Sequence, residues 1–463
     1  MKLYLYNTLT KSKEEFIPIN SAQVGIYSCG PTVYSAQHLG NMRATFVVDL
    51  LKNTLKYPCG YTTKHVMNIT DVWHLTGDNE WDADHGEDRM EKGARKEWIT
   101  AWDVAKKFTD IYLEDLKELR IDDMDVMPRA TDHITQQIVM IQELETKWHT
   151  YILPWDGVYM DTSTMQNYGI LVGQKHLDGI QSGTRVGDSD KRNPTDFALW
   201  KFNMTGRKRD MERDSPWWVG FPWWHIECSA MSMEYLWDQI DIHTGWVEHI
   251  PVHHTNEIAQ AECSHGHHPW VNYWVHYQHL MMNGQKLSKS TGNVAFMSDI
   301  LDRWYSGQDL RMFYLQTHYR SFQDFTWEWL EAAKQARIKL HKRLSSYDTT
   351  QVLDCELIDY LKEVLLDDLN TPQLVARLFT SLDVMDDQIA TAIKWLDDHV
   401  LKLSLFEVME VVVAPVEIKI LADQRRQAKL DKDYTKADEI RSQLTQWWWN
   451  MLDGKDGYEL EKI

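Results

Sequence analysis

A buried strand that runs into a polar loop and then a helix is the feature that most constrains how this chain can fold. Residues 24–29 are apolar enough for a buried strand, and a second strand is predicted at residues 63–70. Between them, apolar residues recur at helical spacing at Ala44, Val47, Val48, Leu51 and Leu55. This order of strand, loop, helix and strand is typical of a parallel α/β sheet. In such sheets ligands bind beyond the carboxyl ends of the strands, where residues 29–41 should lie.

The α/β pattern is interrupted and then resumes. It becomes irregular from about residue 110 to residue 220, which indicates an insertion. A short strand at residues 239–243, a helix from about Thr255 and a strand near residues 275–282 follow. From Ser298 onward nearly all residues have helical periodicity. We therefore predict a Rossmann-type parallel sheet, split by an insertion and followed by a helical C-terminal half.

Composition describes a globular chain with no predicted membrane segment. Its 463 residues suffice for two to four domains, and its longest apolar run is far too short to cross a bilayer. The first residues lack the apolar core of a signal peptide, and the cysteines are not closely paired. We therefore expect a cytoplasmic enzyme. The net charge of −20 argues against a protein that coats itself in nucleic acid, although it allows a local basic face.

The loop after the first predicted strand carries groups suited to a nucleotide. His38 and Asn41 are three residues apart and are predicted to share a helix face, from which both can donate hydrogen bonds to one ligand. Gly40 permits close approach of a nucleotide, and the helix start offers backbone N–H groups to phosphates. By itself, the tetrapeptide His-Leu-Gly-Asn is a weak signal.

A second polar loop, residues 286–290, follows an apolar strand. Its two ammonium groups, on Lys286 and Lys289, could neutralise the charge that develops as pyrophosphate leaves a nucleotide. Ordinary solvated lysines explain this pentapeptide equally well when it is taken alone. The two loops together, in this order and at the margins of the two sheet halves, are much more specific than either.

Four residues are candidates for a metal site. His253 and Glu257 are four residues apart and should lie on one face of a helix. Cys29 and Cys228 could add two thiolates, although the sequence has no local zinc-finger spacing. Any such site must be assembled by the fold, and spacing alone favours ordinary core cysteines.

The paired loops resemble the two signatures of class I aminoacyl-tRNA synthetases, usually His-Ile-Gly-His and Lys-Met-Ser-Lys-Ser. Here Leu39 and Leu287 are conservative changes, and Asn41 replaces the second histidine with a residue that donates but cannot titrate. Segments along essentially the whole chain resemble cysteinyl-tRNA synthetases in particular. They are residues 3–8, 29–34, 191–201, 224–231, 253–260 and 367–372.

The resemblance implies an enzyme that activates cysteine with ATP, accompanied by Mg²⁺, and transfers the cysteine to the 3′ end of tRNA(Cys). In this family one zinc ion per chain is held by residues that match Cys29, Cys228, His253 and Glu257. The zinc binds the substrate's thiolate and so favours cysteine over serine. Catalysis is assigned to His38, Asn41, Lys286 and Lys289, which together with Gly40 also bind ATP. Substrate binding is assigned to Thr70, Trp224 and Glu248, of which Glu248 stands where the family more often has aspartate, near the amino-acid or the ribose end.

The resemblance also implies six regions. In chain order they are the first half of the catalytic domain, a connective insertion, the second half, a loop and stem-contact region, a helical bundle and a small anticodon-recognition module. Their ranges are residues 1–115, 116–220, 221–282, 283–335, 336–415 and 416–463. A basic segment, residues 424–441, resembles the helix that precedes the anticodon-recognition module and indicates contact with RNA. We expect a monomer.

Two other functions stay open. A cysteine ligase that couples cysteinyl-adenylate to a sugar amine would share the catalytic half and the zinc. Its relatives lack the long tail that this chain keeps from about Val416. A non-catalytic RNA-binding paralogue is the other alternative, and only an unusual set of tryptophans makes it plausible.

These tryptophans occupy positions where the synthetases usually carry glycine. They are Trp73, Trp98, Trp218, Trp223, Trp237 and Trp246, with one more among residues 447–449. The chain has 22 tryptophans and 22 glycines, whereas usual glycine usage of ~7% would give about 32. Either the chain is a degenerate or specialised paralogue, or a codon that its source organism reads as glycine has been translated as tryptophan. The glycine shortfall favours the second explanation.

Overall fold

The computed structural model describes residues 1–71, 99–121, 124–173, 190–204, 212–287, 292–408, 414–447, 449–454 and 457–462. These residues form two compact units, Met1–Leu405 and Phe406–Ile463. Among the helices described, none is both long enough and apolar enough to cross a membrane.

Short strands and medium-length helices make up both units. The strands are β1 (Tyr4–Asn7), β2 (Ser12–Glu15), β3 (Val24–Ser28), β4 (Thr63–Met67), β5 (Thr150–Leu153), β6 (Gly157–Met160), β7 (Phe197–Phe202), β8 (Gly220–Pro222), β9 (Ile240–Trp246), β10 (Val271–Tyr277), β11 (Leu280–Met282), β12 (Gln285–Lys286), β13 (Gln323–Phe325), β14 (Trp449–Asp453) and β15 (Tyr458–Lys462). The α-helices are α1 (Leu39–Lys56), α2 (Ala101–Glu118), α3 (Ile134–Thr146), α4 (Trp224–Leu236), α5 (His253–His265), α6 (Met297–Asp302), α7 (Gly307–Leu315), α8 (Trp327–Leu344), α9 (Cys355–Leu365), α10 (Thr371–Ser381), α11 (Asp387–Leu396), α12 (Val416–Leu430) and α13 (Tyr434–Gln446).

The central sheet is parallel and is assembled from two separate stretches of the chain. Its order is β10–β9–β3–β4, with Ile26 of β3 paired to His65 on one side and to Ile242 on the other. The fully buried run of β3 and the helical spacing that follows it produce the predicted strand and helix α1. The expected parallel α/β sheet is therefore confirmed. Cys29 directly follows β3, at the carboxyl edge of this sheet.

The insertion has a sheet of its own. Strands β5, β6, β7 and β8 pair antiparallel in that order, and in sequence they lie between the two halves of the parallel sheet. All of β6 and most of β7 are buried, and the register shifts between Val158 and Tyr159. Strands without an exposed face lack the apolar-polar alternation by which a strand is identified, which is why the sequence pattern is irregular here.

The helical C-terminal half is confirmed, but short strands interrupt it. Strand β13 joins β11 and β12 in a small sheet, and β14 pairs with β15 in a hairpin. The prediction of one strand near residues 275–282 is also wrong, because β10 ends at Tyr277 and β11 belongs to the small sheet. Strands β11, β12 and β13 have only two or three residues each, too few for a period of two to stand out.

A buried ion pair joins helix α1 to helix α7. Arg311 Nη2 lies 2.9 Å from Asp49, and Lys402 Nζ lies 3.2 Å from the same carboxylate. Arg311 also donates hydrogen bonds to the carbonyl oxygens of Leu401 and Leu119. These bonds fix helix α1, and with it the loop that precedes the helix, against the helices that follow the sheet.

The smaller unit, Phe406–Ile463, has its own apolar core. Helices α12 and α13 enclose it with the β14–β15 hairpin, and its buried residues are Ala414, Ile418, Ala422, Ile440, Leu444, Trp449 and Met451. Of the basic residues in segment 424–441, Arg425 is buried and pairs with Asp453 at 3.2 Å, and Lys429 contacts the same carboxylate. Arg426, Lys432, Lys436 and Arg441 are exposed.

Candidate functional site

The first predicted loop ends in a capped helix start. His38 is the N-cap of helix α1, with φ −78° and ψ 165°, and its Nδ1 accepts a hydrogen bond of 3.2 Å from the backbone N–H of Asn41. The amide of Asn41 donates to Gln37 Oε1 at 2.6 Å. His38 thus precedes the helix instead of sharing a face with Asn41, because N-cap residues have non-helical backbone angles. Both side chains remain at the carboxyl edge of the sheet.

Gly40 makes room for the histidine. A Cβ atom at this position would lie 2.9 Å from both Cε1 and Nδ1 of His38, closer than real Cβ contacts. Gly40 therefore leaves room for the His38 imidazole in this conformation. The sequence predicted a different role for it, the close approach of a nucleotide.

The fold brings the flanks of the two loops together. The N–H of Leu39 donates to the carbonyl oxygen of Ala295 at 2.9 Å, and His38 forms an antiparallel bridge with Phe296. Ala295 follows the second loop by a few residues. Residues more than 250 positions apart in sequence are therefore fixed side by side.

The second loop is described only in part. Lys286 ends strand β12, and its ammonium group contacts the Glu248 carboxylate. His279 Nε2 lies 3.2 Å from the other oxygen of Glu248, and the hydrogen bond from His279, followed by that from Lys286, lowers the pKa of this carboxyl to about 2. Lys289 lies outside the described residues.

A buried cluster of metal-ligand side chains lies at the carboxyl edge of β3. One donor atom from each of Cys29, His253, His254 and Glu257 falls within 4.8 Å of all the others. His253 and His254 open helix α5 and Glu257 follows one turn later, so that His253 Nε2 and Glu257 Oε1 are 2.7 Å apart. The predicted i, i+4 pair thus faces Cys29, and His254, which sequence reasoning missed, joins it.

Cys228 lies beside this group although it is not one of the four. The Cys228 thiol is buried, and hydrogen bonding from Cys29 is the largest influence that lowers its pKa to about 6. Burial, in contrast, raises the pKa of Cys29. Of these two adjacent thiols, Cys228 is therefore the one that ionises more readily.

Two atoms of the cluster have unused bonding capacity. His253 Nε2 and Glu257 Oε1 are both buried, and although they lie 2.7 Å apart as an ion pair, neither makes a hydrogen bond to any residue that the structure describes. Burial raises the pKa of Glu257 and lowers that of His253, but each overcomes this through the charge of the other. The pKa of Glu257 is about 2 and that of His253 about 10. A metal ion that displaced the proton of this pair would bind both atoms, so the residues present fit a metal ion.

A second layer of histidines holds the cluster in place. His225 Nδ1 lies 2.8 Å from His253 Nδ1, His243 Nε2 lies 2.8 Å from Glu257 Oε2, and His276 Nε2 lies 2.7 Å from His254 Nδ1. Burial lowers the pKa of His225, and it lowers that of His276 to about 3. Neutral imidazoles that hydrogen-bond to metal-ligand side chains are a common way to fix the orientation of those ligands.

Gly245 of strand β9 makes the approach of His254 possible. A Cβ atom there would lie 2.4 Å from Cε1 and 2.7 Å from Nε2 of His254. His254 Nε2 is in turn 3.3 Å from Cys29 Sγ. The glycine is thus required for the imidazole to reach the sheet edge.

Two predicted pocket residues line the same cluster. The Trp224 indole stacks on the His253 ring with centroids 4.3 Å apart and an angle of 24°. The hydroxyl of Thr70 donates to Glu227 Oε2 at 3.3 Å and accepts from Asn68 Nδ2 at 3.0 Å. Glu227 is buried, and burial raises its pKa well above the usual range. Sequence reasoning missed this carboxyl, which is adjacent to Cys228.

The unusual tryptophans are distributed around the site and on the surface. Trp246 stacks on His279 with ring planes 7° apart, and Trp223 precedes helix α4 with Lys201 Nζ 5.5 Å from its ring centroid. Trp218 and Trp237 are more than half exposed. Trp73 and Trp98 lie outside the described residues.

Comparison with known proteins agrees with this geometry. Residues 15–335 match the family described as tRNA synthetases class I (C) catalytic domain. The cysteine–tRNA ligase of Treponema denticola is 38% identical in an alignment 483 positions long that covers 96% of this chain and 96% of the relative. Cysteine–tRNA ligase 1 of Burkholderia lata is 40% identical in an alignment 466 positions long that covers 99% of this chain and 97% of the relative.

In fold, the chain resembles the methionyl-tRNA synthetase of Mycobacterium tuberculosis in a structure bound by methionyl-adenylate. The TM-score is 0.58 at 11% identity, and the match covers 83% of this chain and 88% of that one. Identity this low concerns the fold alone, and it agrees with the predicted class. The near full-length relatives confirm the predicted family: the chain belongs to the cysteine–tRNA ligases, ATP-dependent enzymes among the class I aminoacyl-tRNA synthetases.

Proposed function

We propose that this protein attaches cysteine to tRNA(Cys) in two steps, an adenylation by ATP and a transfer to the RNA. The observation that carries the proposal is the buried group of Cys29, His253, His254 and Glu257 at the carboxyl edge of the parallel sheet. Cys29 of this group directly follows β3, the strand from which the first of the two paired loops begins. Family membership supports the same activity.

We assign a zinc ion to Cys29, Cys228, His253 and Glu257. Sulfur, imidazole and carboxylate donors are the usual set for zinc, and the two buried atoms without hydrogen bonds lie among them. Bound zinc supplies a soft cation that prefers the thiolate of cysteine to the hydroxyl of serine. His254 is the competing donor, because its Nε2 lies 3.3 Å from Cys29 Sγ. We place it behind Cys29, where its contact with His276 at 2.7 Å holds it.

The residues around the metal group define the amino-acid pocket. Trp224 covers the His253 ring and gives the pocket an apolar wall. Thr70 presents a hydroxyl that Asn68 and Glu227 hold in one orientation. A protonated amino group is attracted to such oxygen atoms, so we assign Thr70 to the amino end of cysteine.

In the first step, a cysteine carboxylate oxygen attacks the α-phosphorus of ATP. The bond from that phosphorus to the β-phosphate bridging oxygen breaks, and pyrophosphate leaves with the electron pair. We assign the nucleotide to the start of helix α1, where His38, Gly40 and Asn41 lie, and to Lys286 and Lys289 of the second loop. The chain contributes position and positive charge and forms no covalent intermediate. Mg²⁺ would accompany ATP and share the phosphate charge.

In the second step, a hydroxyl of the terminal ribose of the tRNA attacks the cysteinyl carbonyl carbon. The bond from that carbon to the phosphate oxygen breaks, AMP leaves with the electron pair, and the hydroxyl proton is released. We assign RNA contact to the exposed basic residues of the smaller unit, Arg426, Lys432, Lys436 and Arg441. The six regions given above are our proposed division of labour along the chain. A monomer in the cytoplasm stays a prediction.

A charging assay tests the proposal. Protein purified from the source organism is incubated with ATP, Mg²⁺, zinc, a tRNA(Cys) transcript and radiolabelled cysteine or serine. We expect acid-precipitable cysteine on the tRNA and no serine. Cysteinyl-adenylate that reacts only with an added amino sugar would replace the proposal with the sugar-amine ligase. RNA binding without adenylate would replace it with the non-catalytic paralogue.

A further inference from the structure

Among the tryptophans that the structure describes, two groups differ sharply in environment. Trp200, Trp270 and Trp274 are at most 1% exposed and pack in the core of the larger unit. A second group is largely exposed: Trp148, Trp155, Trp218, Trp237, Trp304, Trp329 and Trp447. Tryptophan is normally among the most buried side chains by area, so the second group departs from its usual behaviour.

Two exposed tryptophans end helices in a conformation that favours glycine. Trp148 follows helix α3 with φ 64° and is 87% exposed, and Trp304 follows helix α6 with φ 61° and is 55% exposed. In each case the backbone N–H of the tryptophan and that of the next residue donate hydrogen bonds to carbonyl oxygens of the last helical turn. The bonds are Trp148 to Glu145, His149 to Leu144, Trp304 to Leu301 and Tyr305 to Ile300, at 2.9–3.1 Å. This pattern is a Schellman motif, whose left-handed residue is usually glycine.

Trp237 occupies a backbone region that is even more restrictive. It ends helix α4 with φ 72° and ψ −175°. Positive φ with ψ near 180° is accessible essentially to glycine only, because a Cβ atom clashes with the backbone there. An indole at this position carries the strain and still leaves 51% of its surface in water.

Other helix ends in the same protein show the contrast. Helix α5 ends with a glycine, Gly266, at φ 82°. Lys432 also has positive φ at a helix end, but it is exposed and its charged group is hydrated there. An exposed indole gains no comparable stabilisation.

We infer that the protein made by its source organism has glycine at positions 148, 237 and 304, because the codon translated as tryptophan there is read as glycine in that organism. The buried Trp200, Trp270 and Trp274 are then encoded by an ordinary tryptophan codon. This inference stands on backbone geometry and exposure and is independent of the enzyme's activity. It also favours recoding over a degenerate paralogue as the origin of the glycine shortfall.

A consequence for the nucleotide site rests on the proposed function. Trp246 covers His279, next to Glu248 and Lys286. Glycine at this position would expose one face of the His279 imidazole to a bound nucleotide. The same recoding would therefore clear part of the site assigned to ATP.

Peptide mass spectrometry of protein purified from the source organism tests the inference directly. Peptides that contain residues 148, 237 and 304 should show glycine, and peptides that contain residues 200, 270 and 274 should show tryptophan. Tryptophan at the first three positions would overturn the inference. Because this readout needs no activity, its failure is separate from failure of the charging assay.

Variants made in a host that inserts tryptophan at all these positions provide a second test. Trp148→Gly should raise the midpoint of thermal unfolding by about 2 °C, because strain and exposed indole are removed. Trp274→Gly, the matched control, should lower the midpoint by about 5 °C or more. A fall of similar size in both variants would contradict the inference.

Discussion

His253 Nε2 and Glu257 Oε1 lie 2.7 Å apart in the interior, one turn apart on helix α5, and neither makes a hydrogen bond to another described residue. With Cys29 and His254 they form a group of four donors of the kinds that bind zinc, and Cys228 lies beside it. The two histidine contacts behind them, from His225 to His253 and from His243 to Glu257, orient these donors before any metal binds.

Removal of one donor should remove the metal. Glu257→Gln keeps the size of the side chain but weakens the charge that balances zinc, so we expect zinc per chain to fall from about one to well below one-half. The measurement is elemental analysis of purified protein. Glu234→Gln, an exposed change on neighbouring helix α4, should leave zinc content unchanged. Equal zinc in both variants would contradict the assignment.

Zinc content also tests whether Cys228 or His254 is the fourth ligand of the metal. We expect Cys228→Ser to lose most of the zinc, whereas His254→Gln should retain most of it. A cobalt-substituted protein adds an independent readout, because each thiolate ligand contributes to its near-ultraviolet charge-transfer band. Loss of zinc from His254→Gln alone would show that His254 is the ligand and Cys228 is not.

Gly245→Ala should disturb the site through its backbone. The new Cβ atom would lie 2.4 Å from His254 Cε1, so the imidazole must move away from Cys29. We expect a loss of about 1–3 kcal/mol in the free energy of unfolding, measured by urea denaturation. Gly25→Ala in neighbouring strand β3 is the control, since its nearest contacts would be 3.6–3.7 Å. Similar losses in both variants would show that the His254 contact is not the cause.

The buried Asp49–Arg311 pair should be important for stability. Asp49→Ala leaves the guanidinium buried without its partner, and loss of one member of a buried pair costs about 3–5 kcal/mol. Asp110→Ala breaks the exposed pair with Lys106 and should cost under about 1 kcal/mol. Equilibrium unfolding of the two variants makes the comparison. A small loss for Asp49→Ala would mean that solvent reaches Arg311.

Trp246→Gly should improve ATP binding in protein made with tryptophan at this position. Removal of the indole uncovers His279, so we expect a lower KM for ATP with little change in the KM for cysteine. Trp155→Gly, at an exposed position in the insertion, is the control and should change neither value. A higher KM for ATP in Trp246→Gly would indicate that the indole itself contacts the nucleotide.

Local patterns predicted the parts of the site that lie close together in sequence. Strand β3, helix α1 and the facing pair His253 and Glu257 follow from apolar runs and from the geometry of one helical turn. The contacts of His254 with Cys29 and His276 could not be predicted, because the register of β9 and β10 and the bare backbone of Gly245 bring them together. The sequence signal that could have indicated these contacts is a histidine near the carboxyl end of a buried strand, such as His276 of β10.

The positive φ values of Trp148, Trp237 and Trp304 could not be predicted from the sequence either. Composition indicates that glycine is scarce, but only the backbone shows where a glycine is required. Strand β13 escaped prediction for a different reason, since its three residues lie between two helices and cannot establish a period of their own.

Selection of a thiol by the metal cluster should be visible in the amino-acid dependence of pyrophosphate exchange. Zinc-loaded protein from the source organism is assayed with ATP and either cysteine or serine across a range of concentrations. We expect kcat/KM for cysteine to exceed that for serine by about 10⁴ or more, because serine lacks the metal-binding sulfur. Comparable values for the two amino acids would contradict it.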